Sequence, residues 1–223
     1  MKLLLTSAGV RNPTIRNALV ELLGKPIADS TALCIPTAMY GHPGAGLENA
    51  WEFVAGRSEQ PMVELGWRSV GLLELAALPS LPSEQWIPLV RRADVLLVSG
   101  GDALYLAHWV RESGLIDLLP ALEETVWLGM SAGSMVMAPS VGDDFIQWRP
   151  PGAEDRALGL VDFAICPHVV QSPDQPGNSL EEAAQWAATM PCPTYAIDDE
   201  TAIRVVDGRV DVVSEGYWQR SSA

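Results

Sequence analysis

Asp94-Val-Leu-Leu-Val-Ser-Gly-Gly-Asp102 is an unbroken apolar run that ends in a polar, glycine-containing turn. Four apolar residues in a row, with no polar alternation, describe a strand buried on both faces, as in a parallel sheet covered by helices. Asp102 can cap a helix carrying Ala103, Leu106, Ala107 and Val110 on one side, with Gly114 at its end. The pattern returns after a second short helix. Val126-Trp-Leu-Gly129 reads as another buried strand, followed by Met-Ser-Ala-Gly133 and an apolar helical stretch over 135–138.

Toward the amino terminus the alternation continues. Lys2–Thr6 is a strand, Asn12 and Pro13 open a helix with Ile15, Ala18, Leu19 and Leu22 at helical spacing, and Gly24 stops it. Strands follow over 32–35 and 69–75, with helices over 47–55 and 83–92 and a Gly/Pro-rich loop over 39–46. Toward the carboxyl terminus, strands are read over 163–166, 195–197, 201–206 and 209–213. Ser179 and Glu182 form a capping box, and Asp207-Gly208 is a hairpin turn. Strand–helix alternation predicts an α/β fold, a three-layer sandwich with a mostly parallel central sheet, plus a C-terminal antiparallel hairpin. No repeat or long linker divides the 223 residues, so residues 1–223 read as a single domain.

Bulk properties exclude several function classes. The net charge of −14, without a basic patch, argues against nucleic-acid binding. No apolar run reaches the roughly 18 residues of a membrane span. The opening Met-Lys-Leu-Leu-Leu reads as a strand, because Arg11 follows too soon for a signal peptide. Cys34, Cys166 and Cys192 have no metal-type spacing and read as reduced thiols of a cytoplasmic protein. No metal or other cofactor is expected.

Ligands of such sheets bind beyond the carboxyl ends of the strands, and three strand-end loops carry chemistry there. Gly129-Met-Ser131-Ala-Gly133 is a G-x-S-x-G elbow between strand and helix. The glycines leave room for a sharp turn that exposes the Ser131 hydroxyl. The following helix brings free N–H groups, Ala132 first, to an oxyanion. Ser99-Gly-Gly-Asp102 supplies a second donor, at Gly101. Cys166-Pro-His168 puts an imidazole at a strand end, where the base that activates a serine must sit. His42, in the Gly/Pro loop, is a weaker candidate, and His108 lies inside a helix. An acid between Ser131 and His168 would orient the base. Asp143, Asp144, Glu154, Asp155 and Asp162 are the candidates, and Asp143-Asp144 follows the elbow helix most closely.

The chain is similar to the serine peptidases that include peptidase E and cyanophycinase. The similarity is carried by Leu3-Leu-Leu-Thr-Ser7, Ile35-Pro36, Val98-Ser-Gly-Gly-Asp102, Gly129-Met-Ser-Ala-Gly133, Pro167-His168 and Ala196-Ile-Asp-Asp-Glu-Thr-Ala202. It implies a flavodoxin-like, class I glutamine amidotransferase-like fold with serine in place of the amidotransferase cysteine. It also implies a triad in the order Ser131, Asp144, His168, with Asp143 needing a larger alignment shift. The implied reaction is hydrolysis of small peptides through an acyl-enzyme, with amino-terminal aspartate the preference of peptidase E. Arg149 and Arg156 are candidates for a cation that would meet such a carboxylate, with solvated surface charge the favoured reading of both. The family's usual Gly-Gly-Gly-Asn loop is Ser99-Gly-Gly-Asp102 here. The family holds monomers and dimers, so a homodimer is an allowed assembly. The rival readings are an esterase or amidase, an ammonia-transferring amidotransferase-like module, and a non-catalytic binding protein.

Overall fold

The computed structural model describes residues 1–149, 156–172 and 174–222. Its strands are β1 Lys2–Thr6, β2 Thr31–Ile35, β3 Ser69–Leu72, β4 Val95–Val98, β5 Val126–Met130, β6 Ala164–Cys166, β7 Val169–Val170, β8 Asn178–Ser179, β9 Thr194–Ile197, β10 Thr201–Val206, β11 Arg209–Ser214 and β12 Trp218–Ser221. The helices are α1 Pro13–Leu23, α2 Leu47–Val54, α3 Ser83–Arg92, α4 Ala103–Glu112, α5 Ala132–Met135 and α6 Leu180–Thr189.

Seven strands form the main sheet in the order β11-β10-β1-β5-β4-β2-β3. β1 to β5 are mutually parallel, and the β10–β11 hairpin continues the sheet antiparallel to β1. This is the predicted α/β fold with a mostly parallel sheet. Asp207 and Gly208 both take positive φ, as the hairpin reading requires. Alternate residues of each central strand enter opposite cores. Leu5, Ile35, Leu96, Val98 and Trp127 pack with α3 and α4, whereas Leu4, Cys34, Leu97 and Leu128 pack with α1 and α2. Two buried faces explain why these strands are apolar throughout instead of alternating.

Local signals hold at the element ends. Asn12 Oδ1 accepts the Ile15 N–H at 2.9 Å, and Gly24 closes α1 in the left-handed region. Three details differ from the sequence reading. β3 stops at Leu72, and Leu75–Ser80 coils into a short 3-10 segment in which Glu74 caps Ala76. The short helix before β5 is two 3-10 turns, Leu115–Asp117 and Leu119–Ala121, with Pro120 at the start of the second. The elbow helix is α5, directly after Ser131, and not the 135–138 stretch.

A second sheet, β12-β9-β6, was not anticipated. β6 and β9 are parallel, and β12 pairs antiparallel with β9. β12 is mostly exposed and its Trp-Gln-Arg-Ser sequence has no apolar alternation, so it carries no strand signal. A small core of Ala164, Cys166, Val169, Ala183, Trp186, Met190 and Cys192 joins this sheet to α6. Among the described residues, no helix is long and apolar enough to cross a membrane.

Candidate active site

The elbow is built from the end of β5. Ser131 has φ 50° and ψ −114°, a conformation that costs a non-glycine residue about 1–3 kcal/mol and persists only where neighbours impose it. Here they do. The Ser131 N–H donates to the Thr6 carbonyl at 3.0 Å, and Ser134 Oγ donates to the same carbonyl at 2.8 Å. Thr6 Oγ1 donates to the Gly129 carbonyl at 2.8 Å, and Trp127 Nε1 to the Gly133 carbonyl at 2.8 Å. A side chain at position 129 would collide with the backbone of Gly133, and one at position 133 with the carbonyls of Val98 and Ser99. The sequence reading of both glycines as steric necessities is therefore met.

Ser131 opens into a cavity of about 510 Å³. Gly100, Gly101, Ala132 and His168 line it too, so the elbow, the Ser99–Asp102 loop and the strand-end histidine converge as predicted. Gly101 has φ 133°, and a Cβ there would strike the Ala38 carbonyl, so only glycine fits. Among the described residues, neither the Gly101 nor the Ala132 N–H has a hydrogen-bond partner. No hydrogen bond joins Ser131 Oγ to His168; a bond between nucleophile and base tightens in the substrate complex.

His168 also has positive φ, 56°. Its carbonyl accepts the Asn178 N–H at 2.8 Å, the Pro167 carbonyl accepts Asn178 Nδ2 at 2.7 Å, and its own N–H donates to Ser7 Oγ at 2.8 Å. The ring is held by a carboxylate that the sequence reading did not choose. His168 Nδ1 lies 2.7 Å from Asp199 Oδ1, and Ser7 Oγ donates to the same oxygen at 2.7 Å. An ionised carboxylate only accepts, so in the neutral ring Nδ1 carries the proton and Nε2 is the free acceptor. Burial pushes the Asp199 carboxyl up, but the His168 ring, the Ser7 hydroxyl and the charge of Arg11 outweigh it and hold it below the usual carboxylate range. A depressed carboxylate stabilises the fold above the ordinary carboxylate pKa of about 4 and loses that share as pH falls through its lowered value.

Asp144, the acid expected from the sequence, lines the same cavity but makes no hydrogen bond to His168. Asp143 turns outward and pairs with Arg149 at 2.9 Å. Asp162 contacts neither His168 nor Ser131 through a hydrogen bond, and Glu154 and Asp155 lie outside the described residues. The reason is topological. His168 and Asp199 follow the carboxyl ends of the adjacent parallel strands β6 and β9, in which Cys166 is level with Ala196. The segment Asp198-Asp199-Glu200 after a strand was the available signal. It lies outside the interval between Ser131 and His168, where the order Ser, acid, His places the acid.

The remaining candidates are also placed. His42 lines the cavity, with Nδ1 accepting the Gly44 N–H at 3.0 Å. His108 packs against Trp109 and Trp148 and is not among the cavity residues. Arg149 and Arg156 do not line the cavity either.

Asp102 does more than cap. Its Oδ1 accepts the Tyr105 N–H at 2.7 Å, and its Oδ2 accepts the N–H groups of Gln147 and Trp148 at 2.9 and 2.8 Å. It is 1% exposed. Asp102→Ala would remove a cap and orphan two further donors. The expected loss of about 2–3 kcal/mol should appear as a lower urea midpoint.

The sequence model described as Peptidase family S51 matches residues 3–213. An uncharacterized peptidase of Pasteurella multocida is 30% identical over 125 residues, a match covering 50% of this chain and 56% of that relative, little more than half its length. Peptidase E of Haemophilus influenzae (strain Rd) is 25% identical over 222 residues, covering 92% of each chain. In fold, the crystal structure of a peptidase from an acI-B1 Actinobacterium superposes with a TM-score of 0.64 at 23% identity, covering 100% of this chain and 94% of that one.

Proposed function

We propose, for a chain that belongs to peptidase family S51, that it is a serine peptidase hydrolysing small peptides through Ser131, His168 and Asp199. The observation that carries this reading is the 2.7 Å bond from His168 Nδ1 to Asp199, which leaves Nε2 the free acceptor in the cavity that Ser131 lines. His168 Nε2 takes the hydroxyl proton of Ser131 as Oγ attacks the peptide carbonyl. The N–H groups of Gly101 and Ala132 hold the oxyanion. His168 then gives its proton to the leaving amine, and water, deprotonated by the same nitrogen, releases the acyl group from Ser131. Asp199 keeps the imidazole in the required tautomer and stabilises its charged form. The three unpaired, largely buried cysteines fit a reducing compartment such as the cytoplasm.

The test is labelling with a serine-directed phosphonate alongside assays on dipeptide amides and p-nitrophenyl esters. Modification mapped to Ser131 with amide cleavage is expected. Ester cleavage without amide cleavage would instead support the esterase reading. No turnover and no labelling would support a non-catalytic binding protein.

A further inference from the structure

The charge balance of the cavity beside Ser131 points away from an acidic substrate. Among its described lining residues there is no lysine or arginine, and Asp144 is the one carboxylate. The other polar lining groups include the neutral amides of Asn49, Gln60 and Gln147. Residues 150–155, 173 and 223 contain no lysine or arginine in the sequence, so none of the chain's 14 cations is hidden there. The cations nearest in sequence are engaged elsewhere. Arg149 pairs with Asp143, and Arg57 stacks over the Trp51 ring at 5.0 Å.

Asp144 itself is exposed to the cavity, and no hydrogen bond or ion pair reaches its carboxylate among the described residues. The loop that carries it is anchored on both sides. Trp186 Nε1 donates to the Val141 carbonyl at 2.9 Å, and Asp102 holds the N–H groups of Gln147 and Trp148. Phe145 packs edge-on against Trp186 with ring centroids 5.7 Å apart. A carboxylate with no partner, held on an anchored loop at the cavity wall, attracts a cation and repels an anion. The net charge of −14 acts in the same direction on an approaching substrate.

We infer that Asp144 is the specificity-determining residue of this site, receiving a positively charged nitrogen of the peptide, and that the site disfavours an acidic amino-terminal residue. This rests on the peptidase reading above. The nitrogen is either the α-ammonium of the substrate or a lysine-like side chain on its first residue, two sources of one chemistry. Asp144 thereby passes from the triad role expected from sequence to substrate recognition.

The experiment compares kcat/KM for Lys-Leu, norleucine-Leu and Asp-Leu amides, each with a free and an acetylated amino terminus, in the parent protein and in Asp144→Asn. Asp-Leu is expected to be at least about tenfold poorer than norleucine-Leu. A loss of about tenfold on acetylation assigns the α-ammonium, and a gain of about tenfold from norleucine to lysine assigns the side chain. In Asp144→Asn these ratios should shrink to within about twofold, chiefly through KM. A parent protein that prefers Asp-Leu, or ratios unchanged in Asp144→Asn, would overturn the inference while leaving the peptidase reading intact. No turnover of any substrate together with no phosphonate labelling of Ser131 would overturn both.

Discussion

Ser131→Ala is expected to lower kcat by about 10⁶-fold while leaving the folded protein as stable as before. The size follows from the proposed role of the hydroxyl as the atom that bonds to substrate, with no second serine, threonine or cysteine among the described residues lining the cavity. The stability follows from what Ser131 does not do. Its side chain makes no hydrogen bond, whereas its backbone donates to Thr6 and accepts from Ser134 and Met135, and alanine keeps all three. A glycine at the same position separates strain from chemistry. Ser131→Gly is equally inactive, but it relieves a positive-φ conformation worth about 1–3 kcal/mol against about 0.5–1 kcal/mol of added unfolded-state entropy. Its thermal midpoint should therefore rise above that of Ser131→Ala. Differential scanning calorimetry of the two variants, with single-turnover assays on the same preparations, checks both halves. Residual activity within 100-fold of the parent would remove Ser131 from the nucleophile role.

Asp199→Asn is expected to reduce kcat by about 10⁴-fold with little change in KM. An asparagine amide can donate to Nδ1, which moves the ring proton to Nε2 and leaves His168 unable to accept from Ser131. Folding should survive, because the Ser7 hydroxyl, which faces the same carboxylate atom as Nδ1, can turn to accept from the amide nitrogen and still receives the His168 N–H. Asp144→Asn leaves the His168–Asp199 bond untouched, so its deficit should fall on KM and on substrate preference. Steady-state kinetics of the two asparagine variants on one neutral dipeptide amide thus separates orienting acid from recognition acid. A larger kcat loss in Asp144→Asn than in Asp199→Asn would reverse the assignment.

Much of the site was legible along the chain because its parts are local. A buried strand ending in Gly-Met-Ser-Ala-Gly can turn only where two glycines admit backbone close to backbone, and residues 129 and 133 are such contacts. Asn12, Asp102 and Ser179 cap the helices they precede. Capping depends on a side chain reaching an N–H two or three residues on, so sequence neighbours decide it. Pro167-His168 follows an apolar strand and lies at the cavity for the same reason.

The strained backbone of Ser131 and His168 was not legible, since positive φ in a non-glycine residue is imposed from outside. For Ser131 the imposition comes from Thr6, and for His168 from Ser7 and Asn178. The acid was not legible either. Asp143 and Asp144 are nearer in sequence to both Ser131 and His168, and proximity along the chain favoured them.

The residue alphabet and its periodicities thus sufficed for the α/β class, the mostly parallel sheet, the elbow turn and the three strand-end loops that meet at one cavity, because hydrophobic period, caps and glycine contacts act within a few residues. Only the folded chain decided which carboxylate meets His168. That pairing spans 31 residues and depends on β6 and β9 lying side by side in a second sheet whose edge strand, β12, is too polar to announce itself. Strand adjacency is a non-local property, set by how the two sheets and α6 share a core, and no spacing rule along the sequence encodes it.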